Sequence, residues 1–188
     1  MNDIFKSKYR ISSARMPCWD YGSNALYYIT ICTNNRINYF GEIISERNIE
    51  ANVETQHFAS LRSTAIGETA YHNWLDIPNH FSFIELDEFV VMPNHIHGIL
   101  FINKPDKMDW QVNKFGPQRQ NLASVIRGYK ASVKTYSTTN NIEFEWQPRY
   151  YDRVIRNERE YVNIRNYIFS NPDQWLLNGD TEDNMYKS

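Results

Sequence analysis

The chain has 188 residues, enough for one domain of ordinary size with a sizeable core. Apolar residues make up 41% and aromatics 15%, with 13 Tyr, 10 Phe and 5 Trp against 7 Gly, which excludes a disordered or low-complexity chain. A net charge of −2 speaks against a general polyanion binder, and Cys18 and Cys32 as the only cysteines exclude a four-cysteine zinc site and speak against a disulfide framework.

No run of about 18 apolar residues is present, so no membrane-spanning helix is expected. Met1–Lys6 lacks the apolar core of a signal peptide, and a cytoplasmic location is the expectation. The expected organisation is one domain over 1–188, with a polar arm over 1–24 and a polar tail over 178–188. Charge is unevenly spread. Between Pro117 and Arg165 there are nine basic residues and five acidic ones, a net basic segment that allows a nucleic-acid partner without requiring one.

After the arm, Ala25–Thr33 is rich in aromatic and β-branched residues and predicts a strand. Asn34-Asn35-Arg36 predicts a turn and Tyr39–Ile44 a short second strand. From His57 to Leu75, Phe58, Leu61, Ala65, Ala70 and Trp74 recur at spacings of three to five, which predicts a helix ended by Pro78-Asn79-His80. Phe81–Val91 predicts a strand, Pro93-Asn94 a tight connection, and His95–Ile102 a further strand. A polar loop is expected over 106–119. Leu122, Val125, Ile126, Tyr129 and Val133 place a second helix over Asn121–Tyr136. Phe144–Gln147 predicts a short strand. Glu158–Ser170 predicts a third helix, with Asn171-Pro172 as its stop. This order implies an α+β fold: a ferredoxin-like antiparallel sheet with helices on one face, plus an extra C-terminal helix.

The histidine strand carries the most chemistry. Side chains alternate along a strand, so His95 and His97 point the same way, roughly 6.5–7 Å apart at Cα, while Ile96 points to the other face. One histidine in an apolar strand is commonly a core residue bonded to a carbonyl. Two on one face need two partners or one shared cation. On the third helix, Tyr167 and Asn171 are four apart and share a face if the helix extends that far. Alone, that pair reads as a core tyrosine and a helix-end Asn.

Met92-Pro93-Asn94-His95-Ile96-His97-Gly98-Ile99 resembles the His-hydrophobe-His motif of the single-tyrosine transposases. Trp146–Asn157, followed by Asn166-Tyr167-Ile168-Phe169-Ser170-Asn171-Pro172, resembles the C-terminal signature of their REP-associated branch. Arg15–Tyr21 and Thr30–Arg36 fit the same branch, so the resemblance covers most of residues 8–176. It implies that His95 and His97 ligate a divalent metal, Mg²⁺ or Mn²⁺, with Asn171 at the position of the third ligand. It implies Tyr167 as the nucleophile that attacks single-stranded or hairpin DNA, leaving a 5′-phosphotyrosine and a free 3′-hydroxyl. The partner is then DNA, and a homodimer is one assembly the resemblance allows, since in dimeric relatives the tyrosine helix of one subunit completes the site of the other.

Two features depart from the family. The chain is net acidic, so DNA contacts must rest on local cations, for which Arg127, Lys130, Arg149 and Arg156 are the candidates. Arg153 stands where many relatives carry His. Trp146, Tyr150 and Tyr151 either stack on unpaired bases or fill the core. The principal alternative is a non-catalytic DNA-hairpin-binding regulator of the same fold. A zinc hydrolase finds no third histidine at ligand spacing, and an RNA-binding module lacks the aromatic strand signature.

Overall fold

A computed structural model describes residues 4–5, 8–9, 19–47, 57–105 and 119–178. The expected arm up to Cys18 (apart from two short strands), the expected loop over 106–118 and the tail beyond Asn178 lie outside the described residues. Strands β1 (Ile4–Phe5) and β2 (Lys8–Tyr9) form a two-residue antiparallel pair.

Strand β3 (Ala25–Cys32) is the central element. It is followed by β4 (Gly41–Arg47), β5 (His57–Ser63), α1 (Ala65–Leu75) and the one-turn helix α2 (Ile77–His80). Then come β6 (Ile84–Met92), β7 (His95–Ile102), α3 (Leu122–Thr139), β8 (Tyr151–Ile155) and α4 (Glu158–Asn178). The main sheet has the order β6-β7-β3-β8 with every neighbour antiparallel, and β4 and β5 form a separate two-stranded sheet. This is the expected ferredoxin-like sheet with its extra C-terminal helix.

Alternation along the strands builds two apolar layers. Tyr27, Ile29 and Ile31 of β3 join Ile96, Leu100 and Ile102 of β7 against Trp74 of α1 and Val125, Ile126, Tyr129 and Val133 of α3. The opposite face carries Tyr28 of β3, Ile99 of β7 and Ile155 of β8, covered by Ile164 and Ile168 of α4. Each of those two isoleucines contributes about 1.5–3 kcal/mol by leaving water. Helix α4 therefore docks alone on one face, while α1 and α3 hold the other. At Gly98, on the α1 side of β7, a β-carbon would collide with the Trp74 ring, so the bare glycine lets that indole lie flat on the strand.

Four elements differ from the sequence expectation, one being that Pro78-Asn79-His80 lies inside the one-turn helix α2 and does not end α1, which stops at Leu75. The segment from His57 is a strand up to Ser63, because it pairs residue by residue with β4 (Leu61 opposite Ile43), and the helix begins only at Ala65. Thr64 separates the two by capping α1, its hydroxyl accepting from the Gly67 amide at 3.1 Å. The expected strand at Phe144–Gln147 is a single bridge, Thr33 to Trp146, and the edge strand is β8. Finally, Asn171-Pro172 does not end the last helix, which runs to Asn178 with Pro172 inside it. Proline there removes one donor to the Ile168 carbonyl; the packing of the following turn on the sheet carries the helix onward.

Candidate metal and nucleophile site

His95 and His97 lie on the α4 face of β7 and are 2% and 1% exposed. Their rings meet edge to face with centroids 4.5 Å apart. Ile96 between them sits in the other layer, as strand alternation requires. Each ring is held at Nδ1. For His95 the partner is Asn94 Oδ1 at 2.7 Å. For His97 the partners are the Tyr28 hydroxyl at 2.8 Å and Thr30 Oγ1 at 2.9 Å, both from the same face of β3. Tyr28 also stacks on the His97 ring at 5.6 Å. With both Nδ1 atoms engaged, Nε2 is the nitrogen each imidazole can offer to an ion.

Helix α4 crosses this pair. The Tyr167 ring lies 5.3 Å from the His97 ring, and its hydroxyl is 3.5 Å from His97 Nε2. Two turns later the Trp175 ring lies 5.9 Å from that of His95. Asn171 is four residues from each, on the same helix face, and is 6% exposed although polar. The structure thus brings Tyr167, His95, His97 and Asn171 to one side of the sheet. Two imidazole nitrogens and an amide oxygen are donors that suit a borderline or hard divalent ion. Among the described residues there is no cluster of three or more His, Cys, Asp or Glu that could hold a metal.

The helix is anchored on both sides of Tyr167. In β6 the register shifts between Leu86 and Phe89, a bulge that contains Asp87 and Glu88. The Tyr161 hydroxyl donates to Asp87 Oδ2 at 2.5 Å, and Arg165 Nε lies 3.2 Å from Asp87 Oδ1 and 3.5 Å from Glu88 Oε2. Arg153 of β8 pairs with Glu160 at 2.5 Å. At the far end, the Ala59 amide of β5 donates to Asp173 Oδ1 at 3.1 Å. The bond to Asp87 is the main cause that raises the Tyr161 phenol above its ordinary value, since it favours the protonated hydroxyl.

The four candidate DNA cations separate. Arg127 and Lys130 belong to α3, across the sheet from the histidines. Arg127 lines a cleft of about 410 Å³ with Phe81, Phe83 and Arg119. Lys130 Nζ donates to the Gln147 and Arg149 carbonyls at 2.7 and 3.0 Å, and burial holds its ammonium below the usual lysine value. Arg156 follows β8 at the end away from His95, its backbone N–H donating to Glu160. Arg149 is exposed with φ +70°, in the loop whose Gln147 amide donates to the Cys32 carbonyl, and Cys32 is the register partner of His95. Trp146 and Tyr150 pack on the main core and Tyr151 on the α4 layer.

Sequence reasoning missed Asn94, Tyr28, Thr30 and Trp175 as neighbours of the site. The first adjoins His95, and the next two lie on the site face of β3 by simple alternation. Trp175 was hidden by the early helix stop.

In architecture the chain is similar to a REP-associated tyrosine transposase bound to a REP hairpin: TM-score 0.55 at 20% identity, over 87% of this chain and 74% of that one. It has the fold of that class of protein. No family model matches the chain. A Haemophilus influenzae protein, described only as uncharacterised, is 32% identical over 173 residues, covering 87% of this chain and 88% of the relative. The chain belongs to the same family as that protein.

Proposed function

We propose that the chain is a metal-dependent, single-tyrosine DNA strand transferase that nicks and rejoins single-stranded or hairpin DNA. The observation that carries this reading is the Tyr167 hydroxyl 3.5 Å from the Nε2 of a buried His pair. Its support is the donor set around that hydroxyl, the fold shared with a hairpin-bound transposase, and the motif resemblance of the sequence.

His95, His97 and Asn171 would hold Mg²⁺ or Mn²⁺, which when bound supplies Lewis-acid polarisation of a non-bridging phosphate oxygen. Tyr167 Oη loses its proton and forms a bond to the scissile phosphorus. The bond from phosphorus to the 3′ oxygen breaks, and that oxygen takes up a proton as the free 3′-hydroxyl. The 5′ end stays on the tyrosine as a phosphodiester, so the broken bond's energy is retained and rejoining needs no ATP. In-line attack requires Oη within about 3–3.5 Å of phosphorus, and the clamps on α4 fix where Oη stands beside His97.

The decisive experiment is incubation with Mn²⁺ and labelled hairpin DNA bearing single-stranded flanks, followed by denaturing electrophoresis. A labelled protein band retaining the 5′ end of the downstream fragment is expected for the wild type and none for Tyr167→Phe. Hairpin binding without any adduct would overturn the catalytic reading in favour of the regulator.

A further inference from the structure

We infer that Asn94 is the positioning residue of the site: its carboxamide fixes His95 as the Nδ1–H tautomer, so that Nε2 carries the lone pair turned to the metal. The inference deepens the proposed function and rests on it for the metal. The tautomer part stands on this chain's hydrogen bonds alone.

Asn94 is 0% exposed. Its Nδ2 donates to the Arg36 carbonyl at 3.1 Å, and its Oδ1 lies 2.7 Å from His95 Nδ1. The amide cannot be turned over, because its oxygen would then face the Arg36 carbonyl, an acceptor against an acceptor. An amide oxygen only accepts, so His95 Nδ1 must donate and carry the proton. His97 differs. Its Nδ1 faces two hydroxyls, Tyr28 and Thr30, and a hydroxyl can donate or accept, so neither tautomer is imposed. Of the two rings, only His95 is locked by its partner.

The lock is tied to the backbone. The Asn94 carbonyl accepts from the Thr33 amide at 2.9 Å, and the Thr33 hydroxyl sits between the Asn94 and Ile37 carbonyls at 2.9 and 2.8 Å. Thr33 opens the turn in which Asn35 and Arg36 both adopt left-handed backbone angles, φ 52° and 56°. Non-glycine residues hold such angles only where their surroundings over-determine them. The Arg36 carbonyl is thereby aimed at the Asn94 amide, two hydrogen bonds from the imidazole.

The test reads the tautomer and the metal separately. In ¹⁵N-labelled wild type at a pH above imidazole titration, two-bond proton–nitrogen correlation spectra should show His95 protonated at Nδ1 and bare at Nε2. Asn94→Ala should give a tautomer mixture and weaken Mn²⁺ binding by about 10–100-fold, the usual cost of losing a ligand's orienting partner. Asn94→Asp keeps an acceptor at Nδ1 but sets its second oxygen against the Arg36 carbonyl, so it should keep the single tautomer with a lowered melting temperature. Wild-type His95 protonated at Nε2 would overturn the inference without any mutant. So would Asn94→Ala with unchanged tautomer and Mn²⁺ affinity. If wild type shows the Nδ1–H tautomer but binds no Mn²⁺, the metal reading falls, and with it the metal half of this inference, while the lock on His95 stands.

Discussion

Tyr167 and Gly98 lie on opposite faces of the sheet and are expected to respond to substitution in opposite ways. Tyr167→Phe removes one oxygen whose nearest ring nitrogen is 3.5 Å away, so its loss should change stability by less than about 1 kcal/mol in urea denaturation. The same change should abolish the covalent adduct. Gly98→Ala adds one carbon directly against the Trp74 ring and should lower stability by about 1–3 kcal/mol. Its adduct formation should fall only as far as the folded fraction falls. A Tyr167→Phe protein that still forms adduct at the normal rate would move the nucleophile to Tyr161, Tyr150, Tyr151 or Tyr136.

Among the elements, α4 is the one whose placement matters most, and the β6 bulge is its chief polar anchor. Asp87→Ala removes the acceptor of Tyr161 and one partner of Arg165 together. Because a displacement of about 1 Å can cost on the order of 100-fold in rate, the adduct should form at least tenfold more slowly. Affinity for Mn²⁺ should fall less than the rate, since both histidines keep their places on β7 and only Asn171 moves with α4; quench-flow rates set against a binding titration separate the two. Tyr161 also gives a pH dependence. Its folded-state phenol is raised, so the stability it contributes is fully present below the unfolded value near 10 and is lost as pH rises through the folded one. Tyr161→Phe should flatten that alkaline loss in thermal melts.

These elements were unequally legible. The shared face of His95 and His97 followed from strand alternation, which no tertiary contact can reverse without breaking the ladder. β5 was read as helix because Phe58 and Leu61 happen to continue the spacing of α1, and only pairing with a strand distant in sequence decides otherwise. The end of α4 was misplaced for a similar reason: Pro172 is a sound local stop, and the Trp175 contact that outweighs it is made across the fold. The Asp87 anchor had no local signal, since the bulge exists only in the pairing of β6 with β7.

On the scale of the whole molecule, the sheet divides the cations into two groups. Arg36 and Arg149 are exposed on the loops at the His95 end, whereas Arg127 lies across the sheet on α3. In salt titrations of hairpin binding, Arg36→Gln and Arg149→Gln should each reduce the slope of log affinity against log salt by about 1, and Arg127→Gln should leave it unchanged. The net basic 117–165 segment could not be divided this way from sequence, because which face a helix presents depends on what it packs against. No helix among the described residues is long and apolar enough to cross a membrane.

The helix that carries Tyr167 lies across the histidines of its own chain. On the proposed reading, each chain keeps its own Tyr167 beside its own histidines, and two chains crippled in different halves of the site have nothing to lend each other. A mixture of Tyr167→Phe and His97→Ala proteins should stay inactive at every ratio, and the specific activity of the wild type should survive dilution without a threshold. Recovery in the mixture would mean that α4 can leave its own sheet and dock on a neighbour's.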